Sequence, residues 1–387
     1  MPRYIDTLPF VLMRGGTSKG VFLKEGTVPS DRQTLTPVLL DIMGSPDRRQ
    51  IDGMGGSDKL TSKAGIIGKP TRSGTDVTFL FGQVGVWANE VDYALNCGNL
   101  TSAVGMYAIE EGFVAPREGT TSVRVHNINT DKVITVDVPV KNGIPVTKGD
   151  FAIAGVPGTG APIGLDFGAA AGARTGKLLP LGAPTVGLKV EELGSVPVSV
   201  VDMANLVIFV RAESLGMVGI EGPDEIDQDV DLLLRINAVR REVAYAVGMR
   251  EYWDSSEVKG SPTLVVVHEP KAYKHFGTGE DIAASAMHMV GRLYGSGSTS
   301  RAYAGGSTAC TGVACRIPGT IPNQIVSDSA RYDEPILIGH PTGTIPVDAF
   351  VERVGDEFAV RYAKIYRTAR RLAEGKLLLK QAFAMDA

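Results

Sequence analysis

The chain has 387 residues, 43% of them apolar and 21% charged, an ordinary globular composition that excludes wholesale disorder and has the length of two domains. Its formal net charge of -4 lacks the basic excess of a nucleic-acid binder. Cys97, Cys310 and Cys315 are the only cysteines, too few and too odd in number for a disulfide framework and without zinc-site spacing, and no run of about 18 apolar residues marks a membrane span or leader. The expectation is a reduced, cytoplasmic protein with no metal.

Alternating apolar residues over 4–12 and 21–23 predict two strands flanking the turn MRGGTSKG. A short helix is predicted over 36–43. The Gly-rich segment DGMGGSDKLTSK then leads into strands at 64–67 and 77–84. Leu100, Val104, Tyr107 and Ala108 recur at helical spacing, which predicts a helix led by Cys97 and stopped near Gly112. A hairpin follows around HNINTDK. The Gly/Pro/Ala-rich stretch 155–184 reads as the linker, giving domains 1–184 and 185–387. Strands resume at 198–201 and 206–210, and residues 224–247 predict one long helix with acids at its start. A strand at 263–267, a short helix at 282–291 holding His288, and a Gly/Ser-rich turn precede a second helix led by Cys310. Residues 357–380 read as a strand followed by a basic helix.

The halves share a weak repeat. Cys97 and Cys310 each lead a helix, and a polar turn beginning with His126 or His340 follows each by 29 and 30 residues. A thiol at a helix start sits among unpaired N–H groups and the positive end of the helix dipole, a setting that attracts anions. Cys315 lies mid-helix and reads as a small buried hydrophobe. GGTSKG is not a phosphate loop; it reads as a backbone nest around Gly16, with the Thr17 and Ser18 hydroxyls aimed at an anion. Lys63 stands where a Gly-rich turn enters a buried strand, so desolvation would lower its pKa towards that of a useful base. Lys59 and Lys69 lack that setting and read as surface. Arg14 and Arg301 adjoin Gly-rich turns and could pair with carboxylates in bidentate fashion. His126 and His340 could shape the same anion site, and the flanking glycines favour His340. His268 and His275 have no partner pattern.

MRGGTSKGVFL, IDGMGGSDKLTSK, NCGNLTSAVGMYAIEEGFV, TACTGVACRIPGT and GHPTGT, in this order, resemble the methylitaconate and methylaconitate isomerase family, which includes the oxalomesaconate isomerases and tautomerases. The resemblance runs from about residue 10 to 372. It implies an α+β, diaminopimelate-epimerase-like fold: two similar domains, each a curved, mostly antiparallel sheet around a central helix, with the site in the cleft between them and the C-terminal helix packing back on the first domain. It implies a cofactor-independent allylic shift of a C=C bond in a small unsaturated di- or tricarboxylate, catalysed by Lys63 and Cys97. Ser18, Asn96, Gly98 and Asn99 would line the first helix end, and Cys310, Thr311 and Gly312 the second. The partner is the small polycarboxylate, not nucleic acid or membrane, and a homo-oligomer is compatible with it. Two alternatives stay open on the residues alone: a two-cysteine epimerase using Cys97 and Cys310, and a non-catalytic carboxylate-binding protein.

Overall fold

The computed structural model describes residues 4–94, 96–191, 193–326, 330 and 335–385. The chain divides into two compact units, Met1–Leu165 with Arg367–Ala387, and Asp166–Tyr366. The crossover at Leu165 falls inside the expected linker, so the units differ from the expected 1–184 and 185–387, and the C-terminus belongs to the first unit.

In the first unit, β1 (Tyr4–Gly15) and β2 (Ser18–Lys24) form an antiparallel hairpin. The chain crosses over through α1 (Arg32–Met43) to β3 (Lys63–Gly68), which runs parallel to β2. Asp31 caps α1 by accepting from the N–H groups of Gln33 and Thr34, so the helix begins four residues earlier than the apolar pattern marks. β4 (Val77–Val84) returns antiparallel to β3. The chain then runs through α2 (Gly98–Glu110) to β5 (Gly119–Asn127), which is parallel to β4, and β6 (Lys132–Lys141) closes an antiparallel hairpin with β5.

The second unit repeats this order of pairings. β7 (Gly194–Met203) and β8 (Asn205–Arg211) form an antiparallel hairpin. Helices α3 (Pro223–Gln228), α4 (Val230–Ala246) and α5 (Arg250–Ser255) cross over to β9 (Thr263–His268), parallel to β8. β10 (Met289–Gly295) is antiparallel to β9; α6 (Gly305–Arg316) leads to β11 (Ile336–His340), parallel to β10; and β12 (Gly343–Val354) is antiparallel to β11. The expected 224–247 helix is broken at Asp229, whose carboxylate accepts from Leu232 N–H and caps α4.

The central helices are built alike. Every residue of α2 from Gly98 to Ile109 and of α6 from Gly305 to Cys315 is buried, because strands surround each helix. Close approach to those strands requires a glycine on the packed face. A Cβ on Gly105 would lie 2.6 Å from Val136, and one on Gly312 would lie 2.5 Å from Val347. Thr101 Oγ donates to Cys97 O at 2.8 Å and Thr308 Oγ to Ala304 O at 2.9 Å, each one turn back. The repeat therefore aligns Cys97 with Ala304, Thr101 with Thr308 and Gly105 with Gly312. The sequence register, which matched Cys97 to Cys310, is off by six residues.

Two predicted helices are strands. The segment expected as a helix over 282–291 contains a 3-10 turn, Ala284–Ala286, and the start of β10; His288 lies outside any helix. After β13 (Glu357–Arg367), the expected basic helix is β14 (Ala369–Ala384). β14 pairs antiparallel with β1, from Gly15↔Ala369 to Tyr4↔Ala384. Leu377, Leu379 and Phe383 pack on the first unit's core beside Leu35, Leu39 and Met43. The edge of β1 thus overrides the helix propensity of an Ala-, Leu- and Lys-rich stretch. Among the described residues no helix is long and apolar enough to cross a membrane.

Candidate active site

The first unit gathers most of the expected site residues around the start of α2. Gly16 and Thr17 form the β1–β2 turn, Gly16 at φ +52, and three glycines make the close fit possible. A Cβ on Gly15 would meet Asn99 O at 2.4 Å, one on Gly16 would meet Asn99 Oδ1 at 2.2 Å, and one on Gly20 would meet Lys63 O at 2.8 Å. Asn99 stitches the turn to the helix: its Nδ2 donates to Thr17 Oγ at 2.9 Å, and its Oδ1 accepts from Arg367 Nε at 2.9 Å. Lys19 N–H donates to Leu60 O, tying the same hairpin to the loop before Lys63.

Cys97 is the N-cap of α2, and its Sγ accepts from Leu100 N–H at 3.4 Å. Next to it, Asn96 Oδ1 accepts from Asn127 Nδ2 at 3.0 Å. Asn127 is itself fixed, because its Oδ1 accepts from Thr130 N–H and Oγ–H. That chain of bonds leaves Asn96 Nδ2 a buried donor with no hydrogen-bond partner; the Ser18 hydroxyl is likewise buried and unpartnered. Buried polar groups are satisfied as a rule, so two orphans beside one helix start mark a place where a polar ligand belongs.

Lys63 is the first residue of β3 and is 6% exposed. Its Nζ donates to Gln83 Oε1 and lies 5.1 Å from the centre of the Phe81 ring. Burial pulls the amine's pKa below the usual lysine value; its interactions with Cys97 and Asp58 oppose this without cancelling it. The buried Lys63 amine, with its pKa lowered, and Cys97 at the helix cap thus interact electrostatically.

Arg14 is already engaged. Its Nη1 donates to Thr368 O at 2.6 Å and Thr368 Oγ at 2.8 Å, and burial followed by the repulsion of Arg370 lowers its pKa. Arg367, missed in the sequence, is buried at the helix end and pulled down to about 10 by desolvation. His126 does not shape this site. Its ring bonds Asp131 at 2.7 Å, and its neighbour Asn127 reaches the Cys97 turn instead.

In the second unit the expected residues are displaced from the helix end. α6 starts at Gly305, with Ala304 as its N-cap, so Cys310, Thr311 and Gly312 are mid-helix. Cys310 is fully buried, its Sγ–H donates to Val201 O at 3.4 Å, and burial drives its pKa well up. Thr311 bonds Tyr303 and Ser307 O, and Gly312 packs on Val347. The expectation that these three line a second helix end is therefore corrected. What lines it is Gly305, Gly306 and Ser307, with Asn205 from the β7–β8 turn. Ser307 Oγ and Asn205 Oδ1 are buried there without partners. The signal was present in AGGST, whose paired glycines read as a turn rather than as a helix start. Arg301 is 55% exposed, 3.8 Å from Asp224 and over the Phe276 ring. His340 is buried at the end of β11, with Thr342 N–H and Oγ at 3.4 Å from its Nδ1. Among the described residues no group of three or more His, Cys, Asp or Glu side chains is placed to hold a metal.

A duplicated unit of sheet around a buried helix is the architecture of the epimerase–racemase fold. The hydroxyproline epimerase of Agrobacterium vitis has that fold at TM-score 0.57 and 10% identity, over 98% of this chain and 95% of that one. Much nearer is the crystal structure of methylitaconate-delta-isomerase, at TM-score 0.78 and 42% identity, covering 98% and 96% of the two chains. The 3-methylitaconate isomerase of Eubacterium barkeri is 43% identical over 377 residues, 97% of this chain and 98% of that one. The PrpF protein family profile matches residues 5–380, and the chain belongs to that family. It is an isomerase.

Proposed function

We propose that the protein moves the C=C bond of a small unsaturated di- or tricarboxylate by a 1,3 proton transfer, with Lys63 and Cys97 as the proton-transfer pair. The observation that carries this reading is the buried Lys63 amine, lowered in pKa and electrostatically in touch with the Cys97 thiol at the α2 N-cap. In the reaction, a C–H bond next to a carboxylate, or along its vinylogous chain, breaks and its proton passes to neutral Lys63. The electron pair forms a new C=C bond with the central carbon. The old C=C bond gives up its pair at the far carbon, which takes a proton from the Cys97 thiol. No electron leaves the substrate.

The intermediate is a dienolate-like anion, and its charge falls where donors are fixed in advance. The start of α2, Asn96 Nδ2 and the Ser18 hydroxyl supply hydrogen bonds in a site shielded from water, where they act more strongly than in bulk solvent. Thr17, Gly98 and Asn99 hold that end in shape. Within the second unit, Gly305, Gly306 and Ser307 form a helix start of the same kind.

A two-thiol epimerase is disfavoured, because Cys310 is a buried core residue and the position matching Cys97 is Ala304. The test is an ultraviolet assay of the purified protein with methylitaconate, methylaconitate, aconitate and oxalomesaconate, since a change in conjugation changes absorbance. Turnover of at least one of these is expected. Binding of the acids with no absorbance change for any of them would contradict the reading.

A further inference from the structure

Gln83 has no counterpart among the residues that the sequence motifs single out, yet it lies directly opposite Lys63 in the antiparallel β3–β4 pair. Directly opposed residues project on the same face of a sheet, so the two side chains meet there by register. Gln83 is 4% exposed. Its Nε2 donates to Ser62 O at 2.9 Å and to Lys59 O at 3.1 Å. Backbone carbonyls only accept, so both bonds require the amide nitrogen on that side and fix the carboxamide oxygen on the other. That oxygen accepts from Lys63 Nζ, while the ring of Phe81, two residues earlier on the same face, lies beneath the amine. The carboxamide nitrogen of Gln83 is held by the loop that leads into Lys63, so the amide cannot turn without breaking that loop's bonds.

We propose that Gln83 is a positioning residue for the proton transfer: its carboxamide oxygen takes one N–H of Lys63 and so sets where the amine's lone pair and remaining hydrogen point. This rests on the reading of Lys63 as a proton-transfer group. The choice of an amide has a consequence. A carboxamide oxygen accepts equally from an amine or an ammonium and adds no net charge, whereas a carboxylate at the same place would hold Lys63 as ammonium. The titratable groups acting on Lys63 are Cys97 from the helix cap and Asp58 from the preceding loop; Gln83 and Phe81, from the strand alongside, are neutral. The site therefore keeps negative charge away from the one face of the amine that is fixed by a hydrogen bond.

The experiment compares the pH dependence of kcat/KM for wild type, Gln83→Glu and Gln83→Met, on the acid that the wild type isomerises. In Gln83→Glu the acid limb is expected to move up by about one pH unit or more, the size of shift that one adjacent opposite charge produces. Activity near neutrality should fall at least ~10-fold and recover at alkaline pH. In Gln83→Met, which keeps side-chain length without an acceptor, kcat should fall at least ~10-fold, within the range that aligned proton transfer contributes. Its KM should stay within about threefold, with no upward movement of the acid limb. A residue that only props up the loop would lower activity in both variants without moving the limb. If Gln83→Glu fails to fold, the split between kcat and KM in Gln83→Met decides the matter. Lys63→Met is measured alongside. If it is inactive while Gln83→Glu keeps the wild-type pH profile, or Gln83→Met keeps the wild-type kcat, the role of Gln83 falls and the reading of Lys63 stands. If Lys63→Met is active, both fall.

Discussion

Lys63→Met should abolish turnover and leave the fold intact. The substitution removes the amine and keeps most of the stem that lies over Phe81. Because the native amine is buried and already displaced towards its neutral form, an uncharged thioether in its place adds no large burial penalty. Among the described residues the substitution removes the hydrogen bond to Gln83 Oε1, so some stability is lost, on the order of 1 kcal/mol. Proton transfer by a positioned group typically contributes about 10²–10⁴-fold, so kcat should fall to the floor of the assay. Circular dichroism and a thermal melt check the fold. Retention of more than a few per cent of wild-type kcat in a folded protein would remove Lys63 from the mechanism.

The second large effect separates the two cysteines. Cys97→Ser should lower kcat at least ~10²-fold, because a hydroxyl at the N-cap keeps the cap but is a far weaker acid than a thiol. Cys310→Ser should cost little activity: Cys310 is buried mid-helix, and a hydroxyl can still donate to Val201 O. The kcat values of both variants on the same acid give the comparison. Equal, severe losses at the two positions would restore the two-thiol epimerase and overturn the pairing of Cys97 with Lys63.

The parts of this architecture that the sequence reveals are those fixed by local chemistry. The MRGGTSKG turn, the strand start at Lys63 and the cap at Cys97 each carry their signal within a few residues: a glycine where the backbone must approach Asn99, a cap before an apolar helix, a lysine entering a buried strand. What it hides depends on partners distant in the chain. β14 has the composition of a helix and is a strand because β1 presents an open edge to it. Cys310 looks like Cys97 because each is a cysteine near glycines, but the burial of Gly305–Gly306 as a helix start is decided by the β7–β8 turn, about 100 residues away. Gln83 is opposite Lys63 only through β3–β4 register, and Asn127 reaches Asn96 only through the β4–β5 crossover. No spacing rule along the chain encodes these pairs.

The central claim is deprotonation and reprotonation at two different carbons by two different groups, and hydrogen exchange in D₂O tests it most directly. Lys63 and Cys97 enter the site from a strand start and a helix cap, so the proton taken at one carbon need not be the one delivered at the other. Amine and thiol protons exchange with solvent between turnovers. The isomerised product should therefore carry deuterium at the newly protonated carbon, read by proton NMR and mass spectrometry. Cys97→Ser should retain some exchange at the position Lys63 serves while losing net isomerisation. Product formed in D₂O with no deuterium incorporated would mean one shielded base carrying the same proton across one face, and would contradict the two-group mechanism.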